Sequence, residues 1–292
     1  MFFFYKFGAN PTNIMKNFIV VLFVLIATSA TAQKLKGSRA VTITQKEIGE
    51  FEALEVSDNL EVFLVKGDKC ALEIEADDNL HDAVSVDLSA GTLRVGASQE
   101  IGSAKKFSVK ITYTGSLSMI TAKGTTNVTA LTDMVLDAIT IKTFDNSRFF
   151  ASVQTKKFML MAGDKSKIEL NLTSEAATIE MSNNSNVKAL IAALKLTFDM
   201  YQKTSATVEG DVTDMKLRLD NNANFVGKNM TAKNVQVITE SYSSASIIAT
   251  DNAGISAGGK SEIQLYGEPK IEMTKFTDSA QLQKKPSTGK VN

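Results

Sequence analysis

Residues 177–191 read ATIEMSNNSNVKALI, and this stretch decides the fold. Apolar and polar side chains alternate in Ala177–Met181, the polar run Ser182–Asn186 follows, and alternation resumes in Val187–Ile191. Alternation with a period of two is the pattern of a β-strand that buries one face, and a run of Ser and Asn is typical of a turn. The stretch therefore predicts two short strands joined by a polar corner.

The same unit recurs about every 19 residues between Met119 and Ile263. A unit this short cannot bury its own apolar face, so successive units have to stack on one another as a coil of strands. The first-strand centres are separated by 21, 19, 19, 19, 20 and 18 residues, and they are Ile139, Leu160, Ile179, Phe198, Leu217, Val237 and Ile255. The second-strand anchors keep the same step, and they are Val128, Phe149, Ile168, Val187, Val208, Phe225, Ile247 and Ile263.

The predicted fold class is all-β, a parallel β-helix or solenoid with rungs of about 19 residues. Each strand is expected to pair in register with its counterpart in the next rung, at a spacing of about 4.8 Å. Connections between parallel strands of one sheet are right-handed in the great majority of cases, which predicts a right-handed coil. Proline interrupts a strand ladder, and it occurs only as Pro11, Pro269 and Pro286. We expect Pro269 to end the last rung.

The N-terminal residues have the pattern of an export signal. The apolar run Phe18–Ile26 follows a lysine and leads to the small residues Ala30-Thr31-Ala32. This order predicts a cleaved signal peptide over residues 1–32, with Met15 favoured over Met1 as the true start. An uncleaved anchor formed by Phe2–Phe23 is the other interpretation, but the apolar run is shorter than the roughly 20 residues that span a bilayer. No transmembrane span is expected after cleavage.

The mature chain is predicted to hold one domain with two parts of different regularity. Residues 33–276 form a β-solenoid domain, and a polar C-terminal tail follows over residues 277–292. Within the domain, residues 41–114 carry less regular strands and are expected to be irregular first turns, whereas residues 115–270 carry the regular rungs. A separate small β-domain over residues 41–114 is the alternative.

Charge and cysteine content argue against several classes of protein. The chain has 32 basic and 32 acidic side chains, and removing residues 1–32, with two lysines and no acid, leaves 30 − 32 = −2. No basic stripe is present, so nucleic acid and anionic membrane are not expected as partners. Cys70 is the only cysteine and His81 the only histidine, which argues against a disulfide and against a zinc site. No cofactor is predicted, because no phosphate-binding glycine loop is present.

The most regular polar feature is a column at the corners, formed by Asp145, Asp164, Asn183 and Asn221. Asn and Asp tolerate left-handed turn geometry and bond to the local backbone, which explains the column structurally. The functional interpretation is a strip that binds a divalent cation or a glycan, since hard cations need several oxygen ligands. The glycine-rich pattern of calcium-loaded β-helices is absent. The structural explanation is therefore favoured, and no catalytic, cofactor-binding or metal-binding residue is predicted.

A carbohydrate-active enzyme, either a polysaccharide lyase or a glycoside hydrolase, is the alternative to a binding protein. Glycosidases need two carboxyl groups about 5 to 10 Å apart. Glu169, Glu180, Asp199 and Glu209 are available, but alternation predicts different arms or outward positions without convergence. His81 has acidic neighbours but no identifiable nucleophile. Solvated strand faces and a surface turn explain these side chains.

Several segments in a fixed order resemble a known family. They are Phe51–Val56, Ser57–Leu60, Leu72–Leu80, Gly91–Val95 and Tyr266–Pro269. With the repeated polar corners, they resemble the putative auto-transporter adhesin, head GIN domain family over nearly all of the mature chain. The resemblance implies an exported bacterial domain of unassigned biochemical function. The corners in that family are glycine-rich, whereas the corners of this chain carry Asp and Asn.

The sequence therefore predicts an exported, non-enzymatic β-solenoid that serves as an adhesin-like or envelope-associated binding domain. This prediction rests on a long regular surface without a catalytic cluster, because fold alone does not define function. The expected partner is a glycan or a protein of the cell envelope or surface. The expected location is the periplasm, the outer surface or the medium.

Overall fold

The computed structural model describes residues 34–286. The predicted signal peptide, residues 1–32, lies outside the described residues, as do residues 287–292 of the predicted tail. Within the described part of the chain, no helix is long and apolar enough to cross a bilayer. The described strands belong to one compact unit that begins at Leu35.

Nearly all regular structure in this unit is β-strand, and a single 3-10 helix, Asp78–Ala83, is found among the described residues. The strands, in chain order, are β1 (Leu35–Lys36), β2 (Val41–Glu47), β3 (Ala53–Val56), β4 (Glu61–Lys66), β5 (Ala71–Asp77), β6 (Val84–Ser89), β7 (Thr92–Ala97), β8 (Ile101–Ser103), β9 (Phe107–Tyr113), β10 (Met119–Ala122), β11 (Asn127–Ala130), β12 (Met134–Thr143), β13 (Arg148–Ala162), β14 (Lys167–Met181), β15 (Asn186–Tyr201), β16 (Ser205–Asp220), β17 (Asn224–Thr239), β18 (Ser244–Ala257), β19 (Glu262–Tyr266), β20 (Lys270–Phe276) and β21 (Gln281–Lys284).

The regular part is a stack of parallel strands in register. Arg148 pairs with Lys167, Lys167 pairs with Asn186, and Asn186 pairs with Ser205, so each rung advances the chain by 19 residues. The inward positions are fully buried, as the alternation of apolar and polar residues predicts. The fold is a β-solenoid of about nine turns, which confirms the predicted fold class and the rung length.

The strands of successive units are not separate elements. The strand that follows a polar corner runs on into the first strand of the next unit, because β13 to β18 are continuous strands of 14 to 16 residues that bend once. In β13 the bend falls at Lys156, which the ladder leaves unpaired. Beside it, the Thr155 hydroxyl donates to the carbonyls of Asp137 and Lys157, at 3.0 and 3.2 Å. Each rung thus has a long arm, a bend, a short arm and one tight turn.

The register corrects three of the predicted repeat positions. Leu160 pairs with Ile141, so the short-arm column passes through Ile141 rather than through Ile139. The long-arm column passes through Ala206 and Ala245 instead of Val208 and Ile247. On the long arm the two predicted positions were the larger apolar residues, whereas the column there alternates large and small side chains.

Phe225 shows why the small residues are needed. Its ring contacts the ring of Phe198 edge to face, with centroids 5.3 Å apart. These two rings lie two rungs apart along the chain, and the rung between them carries Ala206 in the column of Phe225. The interior is close-packed, so one large side chain displaces its stacked neighbours.

Pro269 does not end the stack. It lies between β19 and β20 at the bend position, where the residue takes no part in the ladder, so a missing N–H has no cost there. β21, which lies within the predicted polar tail, pairs in register with β19. The solenoid therefore continues for one more rung beyond Pro269.

Residues 41–114 extend the same sheets in a less regular way. β3 pairs in parallel with β7 and β10, and β4 pairs in parallel with β9 and β11. Farther from the regular rungs the pairing becomes antiparallel, between β2 and β5, β5 and β9, and β6 and β7. Leu80 of the 3-10 helix is fully buried in the core at this end. These strands are therefore continuous with the regular rungs.

Candidate functional site

The predicted corner column forms a stack of tight turns. Asp145, Asp164, Asn183 and Asn221 all occupy the same turn position, with φ between 53° and 58°. A positive φ is costly for most side chains, and Asn and Asp are among the residues that adopt it most readily. The structural reason for the column is therefore the backbone geometry of the turn.

Several side chains of the column bond to the neighbouring turns. The Asp145 carboxylate accepts from the backbone N–H of Gly124 at 2.8 Å, and the Asp164 carboxylate accepts from the N–H of Asp145 at 3.2 Å. The Asn222 amide donates to the side-chain oxygen of Asn221 at 3.3 Å. Within residues 34–286, no cluster of three His, Cys, Asp or Glu side chains could hold a metal ion. A cation or glycan strip at these turns stays a prediction.

Most turns close on a buried hydroxyl residue, whereas the turn that contains Asn221 closes on the buried Ala223. The Thr143 hydroxyl bonds to Ser166 at 3.1 Å, and the Thr239 hydroxyl bonds to Ser261 at 3.0 Å. These hydroxyls are fully buried and lie under the turns, out of reach of a ligand in solvent. The closing hydroxyl residues are Thr126, Ser147, Ser166, Ser185, Thr204, Ser243 and Ser261.

Cys70 and His81 lie near the irregular end of the solenoid. Cys70 is free and half-buried, and it packs against the core just before β5. The Nε2 atom of His81 lies 2.8 Å from the Thr42 hydroxyl, and its buried Nδ1 atom has no partner. This geometry places no nucleophilic serine or cysteine beside the imidazole.

The four carboxylates considered for catalysis separate into two groups. Glu169 and Glu209 lie on the long arm, where Glu209 accepts from the Asn229 amide at 3.1 Å. Glu180 and Asp199 lie on the short arm and are direct partners in the ladder between β14 and β15. The expectation that none of the four converge is therefore wrong for this pair, because stacking brings outward positions of successive rungs side by side.

Glu180 and Asp199 line a cavity of about 460 Å³ on the outer face of the short arm, which we call the short-arm hollow. Arg218 continues their column on the next rung, since it pairs with Asp199. Phe144 and Tyr201 stand along the turn side of the hollow. The hollow thus combines two aromatic rings with charged side chains of both signs.

The depth of the hollow comes from two small residues. Phe144 and Tyr201 occupy the same turn position three rungs apart, which corresponds to about 14 Å at the usual strand spacing. Gly163 and Ser182 hold that position between them and leave the space open. A Cβ at Gly163 would lie 2.9 Å from Cδ1 of Phe144, so the phenylalanine ring leans over the glycine.

Three charged side chains of the hollow make no contact that holds the fold together. Among residues 34–286, Glu180, Asp199 and Arg218 take part in no ion pair or side-chain hydrogen bond, although all three reach solvent. Tyr201 is 46% exposed, so part of its aromatic ring is open to solvent. Asp220, also in the lining, accepts from the Ser241 hydroxyl at 2.7 Å. The free groups are available to a ligand.

Phe144, Tyr201 and Arg218 were not among the site residues predicted from the sequence. The signal was present in the spacing, because Glu180, Asp199 and Arg218 are successively 19 residues apart. Aligning the rungs by their turns would have placed the three charges in one outward column. A larger cavity, about 610 Å³, lies on the long arm beside Glu209, but that carboxylate is already bonded to Asn229.

Comparison with known proteins places the chain by sequence and by fold. The family described as putative auto-transporter adhesin, head GIN domain matches residues 50–269. No curated protein matches the chain. A putative lipid binding protein from Parabacteroides distasonis has 14% identity and a TM-score of 0.61, with 88% of this chain and 98% of that chain covered. A putative adhesin from Parabacteroides merdae has 17% identity and a TM-score of 0.59, with 87% and 100% covered.

Proposed function

The chain belongs to the putative auto-transporter adhesin, head GIN domain family, and from this membership we propose that it is an exported, non-enzymatic binding protein that holds carbohydrate in the short-arm hollow. The family description implies an exported or surface location, where glycans are the most accessible ligands. The observation that carries the proposal is one cavity that brings together two aromatic rings, of the exposed Tyr201 and the half-buried Phe144, with the unpaired charged side chains of Glu180, Asp199 and Arg218.

The residue types suit a sugar ring. The apolar C–H face of a pyranose packs against an aromatic ring, and Tyr combines such a face with a polar hydroxyl. Carboxylates accept from sugar hydroxyls, and a guanidinium donates to ring and hydroxyl oxygens in a planar fork. The backbones of Phe144 and Tyr201 are about 14 Å apart, and the Phe144 ring lies over Gly163 within that interval, so the remaining space between the two rings suits one sugar ring of an oligosaccharide.

The charge of the hollow favours one class of saccharide. Three carboxylates, of Glu180, Asp199 and Asp220, face one guanidinium, of Arg218. The local potential is negative, so it disfavours polyanionic chains and attracts cations. The preferred ligands are therefore neutral oligosaccharides or those with an unacetylated amino sugar, and uronic acid polymers should bind weakly.

Binding of the purified protein to a panel of neutral, amino and uronic oligosaccharides tests this proposal. Tyr201→Ala should weaken the binding of the best neutral ligand by about tenfold or more, because a central aromatic contact carries a large share of binding energy. Tyr242→Ala is the matched control, since Tyr242 is 63% exposed and lies outside the hollow. Equal affinity for the two variants, or no saccharide bound at all, would contradict the proposal.

One observation favours a carbohydrate-active enzyme as the second candidate. Glu180 and Asp199 are ladder partners, and retaining glycosidases use two carboxyl groups about 5 to 5.5 Å apart. Incubation with the same oligosaccharides, followed by chromatography of the products, distinguishes binding from cleavage. Release of products that is abolished in both Glu180→Gln and Asp199→Asn would replace the binding proposal with catalysis.

A further inference from the structure

The final rung leaves an open strand edge. Among residues 34–286, β18 is the only strand that pairs with β20, and all seven residues of β20 are exposed. Ile271, Met273 and Phe276 are 40%, 54% and 43% exposed, although they are the apolar residues of this strand. An open edge with exposed apolar side chains is a template for pairing with another strand.

The side chains of β20 are sorted into two faces. Ile271, Met273 and Phe276 are partners of the buried residues Ala253, Ile255 and Ala257, so they continue the inner face of the solenoid. Glu272 and Lys275 are partners of Gly254 and Ser256 and lie on the outer face. The ladder shifts its register at Thr274, and the Thr274 hydroxyl donates to the Ile255 carbonyl at 3.2 Å. Because of this shift, Lys275 lies on the outer face and Phe276 on the inner face.

The order of residues along β20 is self-complementary. In an antiparallel pair of two β20 strands centred between Met273 and Thr274, Glu272 of each copy faces Lys275 of the other. In the same arrangement Ile271 of each copy faces Phe276 of the other, and both lie on the inner face. Opposite charges and apolar pairs at directly facing positions stabilise an antiparallel ladder.

We propose that this edge binds a second copy of the chain, so that two solenoids join tail to tail through an antiparallel β20–β20 pair. Such a contact is isologous and closes on itself, which gives a dimer and not a fibre. Glu272 makes no hydrogen bond or ion pair within the described chain, and Lys275 lies 3.6 Å from the Glu240 carboxylate. An ammonium has three N–H donors, so Lys275 can keep Glu240 and bind a second carboxylate.

Residues 287–292 are a competing occupant of the edge. Residues 287–292 read STGKVN and include one apolar side chain, Val291. One side chain is too few to cover Ile271, Met273 and Phe276. The Glu272–Lys275 complementarity also has no counterpart in these residues, since their single charged side chain is that of Lys290. A second copy supplies both the apolar and the charged partners.

Sedimentation velocity over a concentration series tests the dimer with a charge swap. Wild-type protein should dimerise, and Glu272→Lys or Lys275→Glu alone should each weaken the dimer on the order of tenfold, because two attractive contacts become repulsive. An equimolar mixture of the two variants should regain wild-type affinity as a heterodimer. In that heterodimer the introduced lysine of one chain faces the introduced glutamate of the other, and the two unchanged side chains form the second contact. Glu262→Lys, an exposed reversal on β19, is the control and should dimerise like wild type.

The mixing step keeps the test independent of folding. A variant that failed to fold could not regain affinity on mixing, and circular dichroism of each variant checks the fold directly. Wild-type protein that is monomeric at every concentration would overturn the proposal. Dimers that are unaffected by either reversal, or single variants that do not recombine, would place the contact elsewhere and would also overturn it.

Discussion

Asp164 has two structural roles: it adopts the backbone conformation that the turn requires, and it bonds to the neighbouring turn of the stack. Its φ of 55° is a conformation that favours Gly, Asn and Asp, and its carboxylate accepts from the Asp145 N–H of the preceding turn. Asn keeps both properties, Gly keeps only the first, and Ala keeps neither. The residue type at this position therefore has a physical explanation that requires no ligand.

Substitution at Asp164 separates the two contributions. We expect Asp164→Ala to lower the free energy of unfolding by about 2 kcal/mol, of which about 1 comes from the hydrogen bond and about 1 from the left-handed backbone. Asp164→Gly should lose about half as much, and Asp164→Asn should be close to wild type. Urea denaturation measures all three, and equal losses for Ala and Gly would show that the backbone geometry is unimportant.

Asp77 is the most enclosed carboxylate of the described chain. Its side chain is 0% exposed, and it accepts from the backbone N–H groups of Arg39, Lys105 and Lys106 at 2.9, 3.1 and 3.0 Å. Burial acts to raise the pKa of Asp77, but these three donors favour the carboxylate and hold the pKa below its ordinary value. Asp77 thus ties three segments together only while it is ionised.

Because the pKa of Asp77 is lowered in the folded protein, the stability of the fold depends on pH. A carboxyl group whose pKa is lower in the folded state stabilises the protein above its unfolded pKa of about 3.9, and this stabilisation is lost as the pH falls through the folded pKa. Asp77→Asn should therefore lower the melting temperature at pH 7, and the difference from wild type should shrink below about pH 4. Asp68→Asn, at an exposed turn, is the control. A constant difference at all pH values would contradict the assigned cause.

The strands pack through their inward residues, as the pair Phe198 and Phe225 shows. Leu217 is 1% exposed and lies in the same inward column as Phe198, whereas Lys216 beside it points outward. Because successive side chains of a strand point to opposite faces, neighbouring positions have opposite tolerance for charge.

Leu217→Asp should unfold the solenoid, because it buries an unpaired charge in the stack. Lys216→Asp is the matched control, since the same residue introduced on the outward face should change the free energy of unfolding by no more than about 0.5 kcal/mol. Thermal melting followed by circular dichroism compares the two variants. Unchanged melting of Leu217→Asp would refute the inward assignment.

The whole solenoid is a sum of nearly equivalent rungs, each of which contacts its two neighbours. Lys167 and Asn186 are ladder partners, so residues 167–185 make up one complete rung. The stability of such a stack is approximately a sum of rung terms and interface terms. A rung can therefore be removed without changing the contacts of the others.

Deletion of residues 167–185 should give a folded, shorter solenoid, because Asn186 takes the place of its partner Lys167. Deletion of residues 167–176 is the control, since it places the buried Ala177 at the outward position of Lys167 and turns the inward face outward. We expect a cooperative melt with a reduced melting temperature for the first deletion and no cooperative melt for the second. Cooperative melting of both would contradict a register-dependent core.

Most of the fold could be predicted from the sequence, because its signals are local. Alternation along Ala177–Met181 marks a strand, and Asn183 marks the turn, whatever the rest of the chain does. The exact register of the strands was harder to predict from the sequence. Ile139 and Ile141 are both inward and apolar, and small residues such as Ala206 are inward without looking like core positions. Pro269 was misread because its effect depends on whether its backbone nitrogen faces a ladder partner.

The sequence by itself determined the strands, the period of the repeat, the tight turns and the family, since each depends on residue type and spacing. Only the tertiary structure decided which outward side chains become neighbours. Glu180, Asp199 and Arg218 meet beside Tyr201 because stacking in register brings rungs together at about 4.8 Å. The open edge of β20 depends likewise on where the stack ends. Contacts between rungs depend on the register of the strands. The register is set by bends and bulges, and the local alternation of apolar and polar residues does not reveal where these occur.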